Sequence, residues 1–214
     1  MDAQSAWHNP FWSPRIEPIS VFSNLEDRLL PVVIVLAAGR GERFAASGGQ
    51  VHKLEAPLAG KRVRDHTLAA VRASGLPWWM VKAAPGLRGM GDSIRAGVLA
   101  TQHAPGWLML PADLPLVRPA SLLAVAQALT HAPVVVPHCD GQRGHPVGFD
   151  ASCMHALLDL EGKEGAARIV QAQRERDMVV DLALNDIGVI TDIDTVDDLC
   201  AAEQLLTRRL AAYG

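Results

Sequence analysis

The feature that most constrains the fold is a short apolar run that passes directly into a glycine-containing loop. Residues 32–36 read Val-Val-Ile-Val-Leu, and the loop that follows carries Gly39 and Gly41. An unbroken run rich in β-branched residues is typical of a parallel strand covered by helices on both faces. A loop at the end of such a strand lies where open α/β sheets bind their ligands. The segment therefore predicts an α/β sheet with its functional site at this strand's carboxyl end.

Strand-like and helix-like segments alternate along the rest of the chain. We predict further strands over residues 78–82, 107–110, 134–137 and 146–149 and near Met178 and Gly188, and helices over residues 64–74, 93–103, 121–128, 153–160, 166–173 and 196–210. This alternation implies right-handed crossovers, and 214 residues fit one domain. We expect a single doubly wound, mostly parallel α/β sheet over residues 31–214. Residues 1–30 lack a regular period and are predicted to form an N-terminal extension.

Composition narrows the class of partner. Hydrophobic residues make up 49% of the chain and the formal net charge is -3, which argues against disorder and against a strongly basic nucleic-acid-binding protein. The 3 cysteines are widely spaced, as suits a reducing cytoplasm. No apolar run approaches the roughly 20 residues of a membrane span, and no secretory signal core is present. We expect a soluble, cytoplasmic protein that binds a small polar metabolite and neither nucleic acid nor membrane.

The glycine loop predicts a phosphate site. Gly39 and Gly41 free the backbone to turn its amide groups inward, and Arg43 and Lys53 supply two cations, as a bound triphosphate requires. The dinucleotide fingerprint needs a third glycine where Phe44 stands, and the P-loop needs a Gly-Lys-Ser/Thr ending that this loop lacks. The alternative is an ordinary strand-to-helix turn in which the glycines only permit tight packing.

Two acidic residues are candidate metal ligands. Asp113 ends a predicted buried strand at the sheet edge, where a carboxylate oxygen suits Mg²⁺; the alternative is a turn-forming aspartate. Asp192 follows the last predicted strand and is the second candidate carboxylate. Asp194 is predicted to be the N-cap of the last helix, with Asp197 and Asp198 as favourable charges in its first turn.

Two further polar residues, Ser93 and Arg143, are candidates for contacts with substrates, whereas the pattern around His145 alone indicates only a structural or solvated histidine. Ser93 lies at a predicted helix start that could cap the helix or meet the nucleotide's base or ribose, and it lacks the closing glycine of a nucleophile elbow. His145 and Arg143 precede a predicted strand, where Arg143 could pair with a phosphate through two hydrogen bonds. The alternative for Arg143 is an ordinary solvated side chain.

Several segments, in the same order along the chain, resemble one family. Residues 36–44 resemble the Leu-Ala-Ala-Gly-x-Gly-x-Arg-Phe/Met signature of the nucleotidyltransferase superfamily, and in particular of the molybdenum-cofactor cytidylyl- and guanylyltransferases. Lys53 stands in place of the signature lysine, residues 89–97 resemble its Gly-Met-x-x-Ser-Leu-x-Ala-Gly segment, and residues 144–147 its Gly-His-Pro-Val. Residues 192–199 resemble Asp-Ile-Asp-Thr-Pro-Glu-Asp-Leu, with Val196 replacing the proline. The stretch between Lys53 and Met90 is shorter than the family usually has.

The resemblance implies a Rossmann-like nucleotidyltransferase fold and a role for each candidate residue. It implies catalytic roles for Arg43, Lys53 and Asp113, Mg²⁺ ligation by Asp113 and Asp192, and contacts with the second substrate by Arg143 and His145. The implied nucleotide-binding residues are Leu36, Ala37, Ala38, Gly39, Gly41, Arg43, Lys53, Gly91 and Ser93.

The implied reaction is transfer of a nucleoside monophosphate with release of pyrophosphate. An acceptor phosphate would attack the α-phosphorus in line, without a covalent enzyme intermediate. Ala37-Ala38-Gly39 resembles the cytidylyl branch, which favours CTP over GTP and a molybdopterin-type acceptor, with a molybdoenzyme or its maturation factor as a candidate partner. Two alternatives remain open: transfer to a sugar or alcohol phosphate, and a non-catalytic nucleotide- or cofactor-binding partner of a molybdoenzyme.

Overall fold

The computed structural model describes residues 30–211, in which strands and helices alternate. The strands are β1 (Val32–Ala37), β2 (Pro57–Leu58), β3 (Lys61–Arg62), β4 (Trp78–Lys82), β5 (Gly106–Pro111), β6 (Val134–Cys139), β7 (Gln142–Arg143), β8 (Val147–Asp150) and β9 (Val179–Ala183). The helices are α1 (Glu42–Ala46), α2 (Val63–Ser74), α3 (Met90–Ala100), α4 (Pro119–Ala128), α5 (Met154–Leu158), α6 (Ala167–Arg174) and α7 (Val196–Ala211). The predicted extension, residues 1–30, lies outside the described residues apart from Leu30.

A sheet of mostly parallel strands forms the centre of the molecule. β1 lies between β4 and β5 and runs parallel to both, and β9 runs parallel to β6. β8 is inserted antiparallel between β5 and β6, and the short β7 pairs antiparallel with β6. β2 and β3 form a separate two-stranded ribbon. The predicted α/β class with a mostly parallel sheet is confirmed.

Helices cover both faces of the sheet because alternate strand residues point to opposite sides. One apolar cluster joins β1, β5 and β6 to α2 and α4: Val33, Val35, Leu68, Val71, Leu108, Leu110, Leu122, Val125 and Val135. The other joins the alternate residues of the same strands to α3, α5 and α6: Val32, Ile34, Ile94, Val98, Trp107, Met109, Val134, Leu157 and Ile169. The sheet is therefore doubly wound, as predicted, and its central strands carry their loops on a rigid platform.

A third apolar cluster docks the last helix against the glycine loop. It includes Phe44 of α1, Leu116 beyond β5 and Ile193 just before α7, each no more than 2% exposed. Leu199 and Leu205 of α7 pack against this cluster. Phe44 follows β1, Leu116 follows β5 and Ile193 precedes α7. The cluster therefore brings the glycine-loop segment, the segment after β5 and the start of α7 together at the carboxyl ends of the two central strands.

The strand predicted near Gly188 is wrong. Residues Ile187–Val189 form a 3-10 turn in which the Asp186 carboxylate accepts a hydrogen bond from the Gly188 amide at 3.1 Å. The backbone of Leu116 fills the space that a side chain at position 188 would need. Gly188 therefore allows two backbone segments to approach closely. Because the segment is not a strand, Asp192 does not follow a strand as predicted.

Two predicted helices differ in their bounds. α3 begins at Met90, earlier than the predicted start at Ser93, and ends at Ala100. The helix predicted over residues 153–160 is a 3-10 turn, Ala151–Cys153, followed by the short α5. β5 ends at Pro111, so Asp113 lies in the turn beyond the strand. Among residues 30–211, no helix combines the length and apolar character needed to cross a membrane.

Candidate active site

A cavity of about 550 Å³ opens at the carboxyl ends of β1 and β5. Its wall consists of the glycine loop, the turn that carries Lys53, the turn after β5, the start of α3 and parts of three later loops. The lining residues are Leu36, Ala38, Gly39, Arg40, Gly41, Glu42, Arg43, Phe44, Lys53, Leu87, Arg88, Gly89, Met90, Ser93, Pro111, Asp113, His145, Lys163, Asp192 and Asp194.

The glycine loop is held over the turn that carries Lys53. Gly41 adopts the left-handed conformation (φ 66°, ψ 27°) that favours glycine, and α1 begins directly after it. The Nδ1 atom of His52 accepts a hydrogen bond from the Leu54 amide at 3.3 Å, so Nε2 carries the proton and donates to the Gly39 carbonyl at 2.9 Å. This histidine therefore fixes the loop against the Lys53 turn.

Lys53 joins two carboxylates from distant parts of the chain. Its Nζ lies 2.6 Å from Oδ2 of Asp113 and 2.8 Å from Oδ1 of Asp194, and Nη1 of Arg43 lies 2.6 Å from Oδ2 of Asp194. Burial alone would lower the pKa of Lys53, but the two carboxylates outweigh burial and raise this pKa above its usual value. Lys53 is therefore a fixed cation at neutral pH.

The segment before α7 is pinned against the turn after β5. The Ile193 amide donates to the Asp113 carbonyl at 3.0 Å, and the Val196 amide donates to Oγ of Ser47 at 2.9 Å. Both bonds hold Asp194, which lies between them in sequence, beside Lys53. The glycine-loop segment and the C-terminal segment thus form one assembly.

The predicted N-cap role of Asp194 is wrong. Oγ1 of Thr195 accepts from the Asp198 amide at 3.2 Å, and Oδ2 of Asp198 accepts from the Thr195 amide at 2.7 Å. This reciprocal pair is a capping box with Thr195 as N-cap. Asp197 and Asp198 lie in the first turn of α7, as predicted. The carboxylate of Asp194 is consequently free to face the cavity.

The acidic residues suit a hard divalent cation that would take some of its ligands from the protein and the others from a bound nucleotide. Oδ1 of Asp113 is buried without a hydrogen-bond partner among the described residues. Partial burial, together with repulsion from Asp194 and Asp113, raises the pKa of Asp192, as expected where a cation would relieve the charge. The part of the chain that the structure describes contains no cluster of three or more His, Cys, Asp or Glu residues that could hold a metal ion. Mg²⁺ commonly uses only one or two carboxylates and completes its shell with phosphate oxygens and water.

His145 lines the cavity with a largely buried ring. Its amide donates to the Val189 carbonyl at 2.8 Å, and Nδ1 is buried without a partner in the described structure. Burial is the main reason that the pKa of His145 is lowered, so the ring is neutral at pH 7. The cavity wall at His145 is therefore uncharged at neutral pH.

The structure brings most of the predicted residues to this cavity, but not all. Leu36, Ala38, Gly39, Gly41, Arg43, Lys53, Ser93, Asp113, His145 and Asp192 line it. Ala37 and Gly91 do not, and Gly91 instead packs against the backbone of Glu161 and Glu164 with no room for a side chain. Arg143 is exposed on β7, outside the lining, because the hairpin pairs it with His138 of β6.

Five charged residues of the cavity were not among the predicted site residues: Arg40, Glu42, Arg88, Lys163 and Asp194. For Lys163 a signal is present in the sequence, since it lies between Gly162 and Gly165 in a loop that separates two helical segments. That pattern alone does not place the loop beside α3. The proximity arises from packing between segments about seventy residues apart.

Comparison with known proteins places the chain in one family. Residues 33–178 match the model of the MobA-like NTP transferase domain. The bifunctional protein GlmU of Xanthobacter autotrophicus is 31% identical over 148 residues, which are 58% of this chain but only 32% of that protein, so this chain spans about a third of that relative. The purine catabolism protein PucB of Bacillus subtilis is 27% identical over 195 residues, covering 77% of this chain and 92% of PucB.

Solved structures share the fold. A nucleotidyl transferase from Methanothermobacter has a TM-score of 0.69 at 21% identity, covering 84% of this chain and 99% of that chain. The manganese complex of Rv0371C from Mycobacterium tuberculosis has a TM-score of 0.63 at 22% identity, with 82% and 98% covered. A molybdopterin-guanine dinucleotide biosynthesis protein A from Archaeoglobus fulgidus has a TM-score of 0.57 at 19% identity, with 83% and 99% covered. Since the family model matches more than half of the chain, this protein belongs to the MobA-like NTP transferase domain family.

Proposed function

We propose that this protein transfers CMP from CTP to a molybdopterin-type phosphate and releases pyrophosphate, with Mg²⁺ as its cation. The observation that carries the proposal is the ion-pair network in which Lys53 joins Asp113 and Asp194 beside Arg43. A triphosphate requires cations beside a flexible backbone loop, and the cation's carboxylate ligands must lie next to them. The cavity unites these features in a nucleotidyltransferase fold.

The glycine loop binds the triphosphate in this proposal. The amides around Gly39 and Gly41 contact the β- and γ-phosphates, and Arg43 and Lys53 neutralise the charge that develops on the leaving pyrophosphate. The guanidinium of Arg43 is 78% exposed and can turn from Asp194 toward a phosphate. Lys53, at 12% exposure, keeps its place between the carboxylates.

Asp113 holds the divalent cation together with a carboxylate of the C-terminal segment. Asp192 is the partner expected from the sequence, and Asp194 is the alternative because it already approaches Lys53 from the same wall. A cation bound there would act as a Lewis acid on the α-phosphate. His145 and Ser93 lie on the same wall and are available to the acceptor and to the base or ribose.

Two observations favour a molybdopterin acceptor, and a third favours CTP. The family model is named for MobA-like transferases, and one structure of similar fold is titled a molybdopterin-guanine dinucleotide biosynthesis protein. The Ala37-Ala38-Gly39 segment resembles the cytidylyl branch. Arg143 has no part in this proposal, since it lies outside the cavity lining.

The experiment that tests the proposal measures pyrophosphate release from CTP and from GTP with Mg²⁺ and molybdenum-bound molybdopterin. We expect release with CTP, and its loss in Asp113→Asn. The matched control is Asp197→Asn, because Asp197 lies exposed in the first turn of α7 and does not line the cavity. Whichever of Asp192→Asn and Asp194→Asn weakens the dependence on Mg²⁺ concentration identifies the second metal ligand.

Other outcomes would redirect the assignment. Release with GTP alone would overturn the choice of base. Release only with a sugar or alcohol phosphate would change the acceptor. Tight CTP binding without release for any acceptor would indicate the non-catalytic nucleotide-binding partner.

A further inference from the structure

Three basic side chains of the cavity have no role in the proposed reaction: Arg40 lies in the glycine loop, and the other two, Arg88 and Lys163, lie beside α3. Arg88 precedes α3, and Lys163 lies in the loop between α5 and α6, yet both line the cavity. A solvated surface position is the usual explanation for an exposed cation. Here the backbone beneath the two residues argues against that explanation.

A buried carboxylate ties the two backbone segments together. Asp92, at 4% exposure, accepts a hydrogen bond from the Arg88 amide at 2.8 Å through Oδ2 and from the Gly162 amide at 3.0 Å through Oδ1. The Gly91 amide donates to the Gly162 carbonyl at 2.9 Å. These bonds lower the pKa of Asp92, with the Gly162 amide as the largest cause, so the carboxylate remains charged at neutral pH.

Glycines make this contact between the two segments possible. A side chain at Gly89 would overlap the backbone of Gly162 and Lys163, and one at Gly91 would overlap Glu161 and Glu164. The loop that carries Lys163 therefore cannot shift away from α3 without breaking the bonds to Asp92. The positions of the Arg88 and Lys163 backbones on the cavity wall are fixed relative to each other.

The charges of these two residues are less fully matched than those of Arg43 and Lys53. The Nε of Arg88 lies 3.5 Å from Asp92, whose two oxygens already accept backbone amides, and its side chain is 75% exposed. Within residues 30–211, Lys163 has no carboxylate within the 4.0 Å of a salt bridge. By contrast, Lys53 contacts two carboxylates and Arg43 contacts one at 2.6 Å. On the side of the cavity beside α3, two cations therefore remain for an anion other than the triphosphate, whereas Arg40 of the glycine loop lies 3.6 Å from Glu42.

We propose that Arg88 and Lys163 bind the attacking phosphate of the acceptor, a phosphomonoester, at the side of the cavity formed by α3. This inference rests on the proposed nucleotidyl transfer. In that step an acceptor phosphate oxygen forms a bond to the α-phosphorus, and the bond from the α-phosphorus to the α,β-bridging oxygen breaks. The electron pair leaves with pyrophosphate. Two anions must approach each other for this attack, and cations on the acceptor side reduce their repulsion.

The test separates acceptor binding from nucleotide binding. Arg88→Gln, Lys163→Gln and the double variant are compared with Arg95→Gln and Lys61→Gln, which remove exposed cations outside the cavity lining. We expect the acceptor KM to rise about tenfold in each single variant and further in the double variant. The Kd of CTP with Mg²⁺, measured without acceptor, should stay within about twofold of wild type. An equal loss of CTP affinity would assign the cations to the nucleotide, and an unchanged KM would make them solvated surface charges.

A binding measurement keeps this inference distinct from the proposed function. Calorimetry follows inorganic phosphate binding to the protein already saturated with CTP and Mg²⁺, so that the triphosphate site is filled. We expect the double variant to bind phosphate at least tenfold more weakly than wild type. If the wild type binds phosphate in this way but releases no pyrophosphate, the anion site stands and the proposed reaction fails. If the wild type and the double variant bind phosphate equally, the anion site is refuted whatever the activity.

Discussion

At the scale of single residues, the ammonium group of Lys53 sets the charge balance beside the glycine loop. Lys53→Met keeps an unbranched apolar stem and removes the cation that Asp113 and Asp194 share. We expect kcat for pyrophosphate release to fall by roughly 100-fold or more, because the leaving group loses a preorganised charge partner. The free energy of unfolding should fall by about 1–3 kcal/mol, since Asp113 loses its ion-pair partner and Asp194 keeps only Arg43.

The control for this prediction is Lys61→Met on the exposed strand β3. It should leave both kcat and the unfolding free energy near their wild-type values. Steady-state kinetics and urea unfolding measure the two effects separately. A Lys53→Met protein with wild-type kcat would remove this lysine from the catalytic machinery.

The sequence predicted many of the residues that line this cavity, whereas the role of Asp194 could not be predicted from local sequence. Lys53, Asp113 and Asp192 were predicted from their chemistry and resemblance, and all three line one cavity. Asp194 was predicted to be an N-cap because aspartate is a favoured one, yet the neighbouring Thr195 is also a favoured cap residue. The Thr-x-x-Asp spacing of Thr195 and Asp198 was the available signal. Its contact with Lys53 depends on packing across 141 positions of sequence, which no local pattern reveals.

At the scale of elements, Gly144 controls how closely the β7–β8 connection approaches the turn before α7. A side chain there would overlap the Val189 carbonyl, which accepts the hydrogen bond from the His145 amide. We expect Gly144→Ala to lower the unfolding free energy by about 1–3 kcal/mol, the usual cost of overpacking. Its pyrophosphate release should also fall, because His145 would shift on the cavity wall.

Gly165→Ala makes the same chemical change in open space and is the matched control. No atom lies within 4 Å of the position that its Cβ would take. Denaturant unfolding of the two variants compares the costs directly. Equal stability in the two variants would show that the 144–189 contact can relax without cost.

A second prediction at this scale concerns the link between α6 and β9. Arg174 donates two hydrogen bonds to Asp181, at 2.6 and 2.7 Å, and His138 lies 3.0 Å from the same carboxylate. The hydrogen bonds from Arg174 are the main reason that the pKa of Asp181 falls to about 2. A lowered carboxylate pKa adds stability above the unfolded-state value of 3.8, and that stability is lost as the pH falls toward 2.

Asp181→Asn should therefore reduce the unfolding free energy at pH 7 and flatten its dependence on pH between about 4 and 2. The expected loss at pH 7 is about 0.2–1 kcal/mol, because the Asp181 side chain is 45% exposed and solvent screens the pair. Urea unfolding across this pH range gives the slope. Asp177→Asn, at a residue between α6 and β9 without a salt bridge in the described structure, is the control. An unchanged acid slope in Asp181→Asn would assign the acid sensitivity to other carboxylates.

The elements themselves were largely predictable from sequence periods, whereas strand direction and close approaches were not. The apolar runs located β1, β4, β5 and β6 because strands covered on both faces carry few polar residues. The same reasoning failed near Gly188, because the apolar residues around this glycine resemble a strand in sequence. The segment instead forms a 3-10 turn in which Gly188 permits close contact with the backbone of Leu116. The antiparallel insertion of β8 between β5 and β6 is likewise set by pairing between distant segments.

At the scale of the whole molecule, ligand binding should stabilise the entire fold. The cavity draws together residues from the glycine loop, the turn after β5, the start of α3 and the segment before α7. A nucleotide that bridges these segments binds the folded state only, so it opposes global unfolding. At a ligand concentration of 100 times Kd the stabilisation is about 2.7 kcal/mol. For a chain of this size the corresponding rise in Tm is roughly 5–11 °C.

We therefore expect CTP with Mg²⁺ to raise Tm by this amount, and CTP without a divalent cation to raise it less. In Asp113→Asn the part of the rise in Tm that depends on the cation should disappear. Part of the rise caused by the nucleotide should remain, because the glycine loop and Lys53 would still contact the phosphates. Differential scanning fluorimetry with CTP, GTP and added chelator measures each increment. An Asp113→Asn protein that kept the full cation-dependent rise in Tm would place the metal ion elsewhere in the cavity, where the remaining carboxylates of the lining are those of Glu42, Asp192 and Asp194.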